Sequence, residues 1–125
     1  MTDSDTARKA LEILDSDGWC KDHLTYPGFY ALTRYPAPWQ AGSHCIGGAV
    51  NIAMHGNEDW QLPGTADFYR RLADVIREQY PEFRAPRVTG LMPGTEDISF
   101  IAQWNNAPET AEADVRRILE KIAAG

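Results

Sequence analysis

The chain has 125 residues, 43% of them hydrophobic, which is enough for one packed core, and it carries a formal charge of −6. That charge argues against nucleic acid as the main partner, because phosphate binding is driven by Lys and Arg displacing counterions. A basic or neutral partner fits better. The opening Met1 to Thr6 is acidic where a secretory signal would be basic, and no apolar run approaches the ~20 residues of a spanning helix. The expected setting is therefore the cytoplasm, away from membranes. In a domain of this size the only two cysteines, Cys20 and Cys45, read as reduced thiols.

In chain order, Ala7, Ala10, Leu11 and Leu14 recur at helical spacing between Thr6 and Asp15, and Gly18 caps that helix against Trp19. From Leu24 to Gly42, Pro27, Gly28, Pro36, Pro38 and Gly42 interrupt any long element, while Tyr26, Phe29, Tyr30, Tyr35 and Trp39 crowd in. This stretch predicts an edge strand, a minor β-hairpin or an irregular flap. Ser43 stands at an N-cap position, and Cys45, Ile46, Ala49, Val50 and Ala53 trace a helical face up to Gly56. Gly47 and Gly48 each cost that helix roughly 1 kcal/mol, so they imply a close approach to the backbone, most simply by another helix.

The clearest helix begins at Thr65, with Phe68, Leu72, Val75, Ile76 and Gln79 or Tyr80 as its buried stripe, and stops at Pro81. Five arginines between Arg70 and Arg87 are interleaved with Asp74, Glu78 and Glu82, which reads as a solvated face. Thr95, Glu96 and Asp97 open another helix carrying Ile98, Ile101 and Ala102 and leading to Trp104-Asn105-Asn106. The last helix runs from about Thr110, with Val115, Ile118, Leu119 and Ile122 inward. The pattern predicts a mainly α, compact single domain over 1–125, a bundle of about four or five helices with one aromatic- and proline-rich loop.

Four features in this order carry a resemblance: a first helix closing on Gly18-Trp19, a Cys45-x-x-Gly48-Ala49 helix start, an aromatic-bearing middle helix, and Trp104-Asn105-Asn106 before the last helix. Together they resemble an uncharacterised domain-of-unknown-function family of small actinobacterial and actinobacteriophage proteins. The family pattern reads Trp-Asn-Asp, so Asn106 places an amide where the family has an acid. An acid acting as base or metal ligand would be lost here, whereas one that caps a turn is replaced almost equally by asparagine. The resemblance implies a fold class and a setting, and no reaction.

Catalytic chemistry would centre on Cys45, whose thiol at a helix start feels positive partial charge and whose proton His44, His23 or His55 could accept. That is the start of a Cys-His hydrolase or transferase. Against it, Cys45 lies on the same apolar stripe as Ile46, Ala49 and Val50, where a small buried thiol belongs. Cys20-x-x-His23 with His44-Cys45 offers four ligands of the kind zinc takes, but adjacent His44 and Cys45 point apart and depart from zinc spacing, so no metal is expected. Ile46-Gly47-Gly48-Ala49 lacks the lysine and spacing of a phosphate loop, and no cofactor is implied. Trp104-Asn105-Asn106 reads as a buried indole followed by asparagines that turn the chain through local backbone bonds, and Trp19 reads as a core anchor. Tyr35, Trp39 and Trp60, in polar loops, are the candidate contact residues for a host protein or a second copy. The resulting reading is a non-enzymatic interaction module. A DNA-mimicking acidic surface fits less well, since the acids alternate with Arg and Lys.

Overall fold

The computed structural model describes residues 2–21, 44–56, 66–85 and 96–125. They form five α-helices: α1 (Asp3–Asp17), α2 (Ile46–His55), α3 (Ala66–Gln79), α4 (Glu96–Asn106) and α5 (Glu112–Ala123). The principal contacts run α1 to α2, α2 to α4, α4 to α3, α3 to α5 and α5 back to α1, so the helices close a ring around one core. Among the described residues no helix is long and apolar enough to cross a membrane. The expected hairpin at 24–42 lies outside the described residues.

Local chemistry sets the helix ends. Thr2 caps α1 by accepting from the Asp5 N–H, and Asp5 accepts in return from the Thr2 N–H, a reciprocal box that satisfies two orphan donors. At the far end Gly18 takes φ 93°, a conformation that side chains resist, and its N–H reaches the Leu14 carbonyl at 2.8 Å. Gly56 ends α2 in the left-handed region, with φ 83° and ψ 0°, and its N–H reaches the Ile52 carbonyl at 2.8 Å. Helix α5 starts without a side-chain cap; instead the Asp114 carboxylate accepts from the Ala111 N–H at 2.8 Å.

The core follows the apolar stripes: Ala7, Ala10 and Leu14 from α1, Ile46, Ala49 and Val50 from α2, Ile98 and Ile101 from α4, and Val115, Ile118, Leu119 and Ile122 from α5. Helix α3 is buried more broadly than its periodicity suggests, because Tyr69 and Ala73 join Phe68, Leu72 and Ile76 inside while Val75 is only partly covered. Trp104 is buried as expected, at 2% exposure, and packs against Tyr80. Trp19 sits at the edge of the core, half-buried.

Three carboxyls are held below the ordinary 3.8: Asp5 chiefly by the Thr2 hydroxyl, Asp17 chiefly by His44, and Asp114 chiefly by the Ala111 N–H, with Tyr80 and Arg117 assisting. A lowered folded pKa stabilises above the unfolded value and is lost as pH falls through the folded one. The thermal midpoint should therefore fall as pH drops below about 4, and Asp114→Asn should flatten that acid limb, as measured by melting curves between pH 7 and 3.

Candidate functional site

The residues singled out for chemistry gather where the end of α1 meets the start of α2. Beyond Gly18 the chain runs beside the segment entering α2 as a two-residue parallel bridge between Trp19 and His44. The His44 N–H donates to the Gly18 carbonyl at 2.9 Å, and the Cys20 N–H donates to the His44 carbonyl at 3.0 Å. In a parallel ladder the next rung would join the Ile46 N–H to the Cys20 carbonyl. The side chain of Asn105, from the last turn of α4, takes that place. Its Oδ1 accepts from the Ile46 N–H at 3.1 Å and its Nδ2 donates to the Cys20 carbonyl at 3.2 Å. Oδ1 also accepts from the Trp19 indole N–H at 2.8 Å, and Nδ2 also donates to Asn106 Oδ1 at 3.2 Å. Both lone pairs and both protons of the amide are thereby used.

This corrects two expectations. Asn105 does not turn the chain through local backbone bonds; it lies inside α4 and ties together segments 59 and 85 residues away in sequence. The N-cap of α2 is Cys45, not Ser43: its backbone is extended, with φ −75° and ψ 172°, and its sulfur accepts from the Gly48 N–H at 3.2 Å.

Cys45 is therefore placed at the positive end of a helix, as a nucleophile would be, but at 3% exposure and with its sulfur engaged in the cap. His44 Nε2 lies 2.9 Å from Asp17 Oδ2. A carboxylate can only accept, so Nε2 carries the proton and the ring is fixed against the end of α1. There it offsets the repulsion that the carbonyl end of α1 exerts on Asp17, and it holds that carboxyl low. Extended backbone turns neighbouring side chains to opposite faces, which sends His44 toward Asp17 and Cys45 into the interior. His55, at the far end of α2, is ten residues from Cys45, about 15 Å along the helix. His23 lies outside the described residues, as do the candidate contact residues Tyr35, Trp39 and Trp60. Among the described residues no group of three His, Cys, Asp or Glu side chains is arranged to hold a metal.

Sequence reasoning missed Tyr69. Its hydroxyl is buried 2.9 Å from the Gly47 carbonyl and 2.8 Å from Asn51 Oδ1, within donating reach of either. Burial, then the nearby Cys45, raise its pKa well above the usual 10.0. At Gly47 the group that reaches the backbone is therefore a phenol from α3. The signal available was Asn51, a polar residue on an apolar stripe one helical turn beyond Gly47.

Replacing Asn105 with Ala removes the acceptor of the buried Ile46 N–H and of the half-buried Trp19 indole N–H, and the bond to the Cys20 carbonyl. The expected cost is about 3–5 kcal/mol in chemical denaturation, against little change for an exposed control such as Glu120→Ala.

No curated protein and no solved structure matches the chain. One family model does, and it spans residues 1–125. The chain belongs to the family of unknown function DUF6197.

Proposed function

We propose that this protein is a cytoplasmic, non-enzymatic interaction or accessory module, of phage or mobile-element origin, that binds a host protein through Tyr35, Trp39 and Trp60. The observation that carries the reading is the position of Cys45, the side chain with most chemical promise: it is buried at 3% exposure and holds the start of α2. A nucleophile has to reach its substrate, whereas a capping thiol has only to stay in place. His44, its nearest candidate base, is held by Asp17. The aromatic residues supply the positive support, since Trp and Tyr dominate interface energetics and stand here in polar, proline- or glycine-flanked sequence. The acidic balance of the chain, −6, favours a protein partner over nucleic acid. The phage or mobile-element origin is supported by the resemblance to actinobacteriophage proteins.

The test is capture from a bacterial lysate by the tagged protein, with Trp39→Ala/Trp60→Ala and Cys45→Ser variants alongside. One stoichiometric protein should be retained by the wild type and by Cys45→Ser. Losing a hot-spot tryptophan costs ~2 kcal/mol or about thirtyfold, so the double variant should bind roughly a thousandfold more weakly. Absence of any specific capture, together with rapid selective alkylation of Cys45 at neutral pH, would favour the Cys45–His44 hydrolase or transferase instead.

A further inference from the structure

At the other end of α3 the chain builds a different kind of surface. Pro81 ends the helix, and the turn behind it returns Phe83 toward the core, with the Phe83 N–H donating to the Tyr80 carbonyl at 3.1 Å. Tyr80, Phe83 and the edge of the buried Trp104 then wall a cleft of about 300 Å³ that is also lined by Glu82, Glu109 and Asp114. The Tyr80 and Trp104 rings are 5.4 Å apart and tilted by 47°, and Phe83 meets Phe100 edge-on at 5.6 Å. These contacts fix the walls, leaving Tyr80 and Phe83 half-buried and Glu82 and Glu109 exposed.

The cleft carries an unbalanced charge. Asp114 is already engaged, accepting from the Ala111 N–H, from the Tyr80 hydroxyl at 2.8 Å and from Arg117 at 3.5 Å. Arg117 also donates to the Tyr80 hydroxyl at 2.7 Å, so that corner holds its own cation. Among the described residues, Glu82 and Glu109 enter no ion pair. Aromatic faces beside uncompensated carboxylates attract an organic cation through both the ring quadrupole and direct charge.

On the other side of Phe83 the protein meets the same requirement with its own side chain. The Arg77 guanidinium lies 4.3 Å from the centre of the Phe100 ring and donates to Asp97 and Asp74, each at 3.2 Å. We propose that the Tyr80–Phe83 cleft is a docking site for an arginine side chain of a basic peptide segment, its guanidinium on the aromatic wall and against the Glu82 and Glu109 carboxylates. Arginine fits better than lysine because a planar guanidinium stacks on a ring while donating in its own plane to carboxylates. The inference rests on the interaction reading only in that a second chain supplies the arginine; its residues are different from Tyr35, Trp39 and Trp60.

The test is an NMR titration of the full-length ¹⁵N-labelled protein with acetyl-Gly-Arg-Gly-amide and with its neutral citrulline counterpart. Saturable shifts are expected at the amides of Glu82, Phe83 and Glu109, with the citrulline peptide and a Glu82→Gln/Glu109→Gln variant each giving about tenfold weaker binding. Both substituted positions are exposed, so the variant should keep the wild-type melting temperature, and free arginine should bind no more tightly than the peptide. The proposal is overturned by the absence of saturable shifts, by equal binding of citrulline, or by indifference to the glutamate changes. Tighter binding of free arginine overturns the peptide assignment in favour of a small-molecule site. Any of these results leaves capture through Trp39 and Trp60 standing, just as loss of that capture leaves peptide binding at the cleft to be read directly.

Discussion

The arrangement of this bundle depends on one buried amide. Asn105 occupies the rung where a third backbone hydrogen bond between the two bridged segments would fall, and it supplies both halves of that rung from its own carboxamide. A side chain can do this because its amide has the same donor and acceptor geometry as a peptide group. The result is a three-way junction. The exit of α1, the entry of α2 and the last turn of α4 are held together within one hydrogen-bonding distance, and the Trp19 indole closes the side. Burial makes the junction demanding: each partner has given up water, so each is costly to leave unpaired.

The chemistry at the start of α2 follows from that junction. Asn105 satisfies the first N–H of the helix, the Cys45 sulfur satisfies the third, and the backbone carbonyl of Cys45 accepts from Ala49. Cys45 thus holds the first turn of α2 through both its sulfur and its carbonyl. His44, on the opposite face of the same extended segment, donates to the carboxylate that ends α1. The Cys45-x-x-Gly48-Ala49 and Trp104-Asn105-Asn106 patterns, far apart in sequence, are therefore two sides of one structural joint. Tyr69 completes it from α3 by bonding to Gly47.

Much of this fold was legible in the sequence, and the parts that were not share a cause. Helical periodicity placed all five helices, and Gly18, Gly56 and Pro81 marked their ends, because stripes and breakers act over a single turn. The buried width of α3 was underestimated: Tyr69 and Ala73 look like neutral positions until a polar group across the core receives the phenol. Asparagine usually bonds to nearby backbone, yet the partners of Asn105 come from segments that only the packed tertiary structure brings near. Intrinsic preference puts the cap at Ser43, whereas the helix starts one residue after Cys45, whose backbone is extended beside the Trp19–His44 bridge. The candidate site divides along the same line. Residues adjacent in sequence could be named, and the Asp17 carboxylate, 27 residues from His44, could not.

The most direct test of the junction is amide hydrogen exchange followed by NMR. First-turn helix N–H groups ordinarily fray and exchange quickly, since no carbonyl within the helix holds them. If Asn105 clamps the entry to α2, the Ile46 amide and the Trp19 indole N–H exchange only when the whole molecule unfolds, with the same opening free energy as the core amide of Leu119. Exchange of Ile46 within minutes, while Leu119 stays protected, would contradict the account.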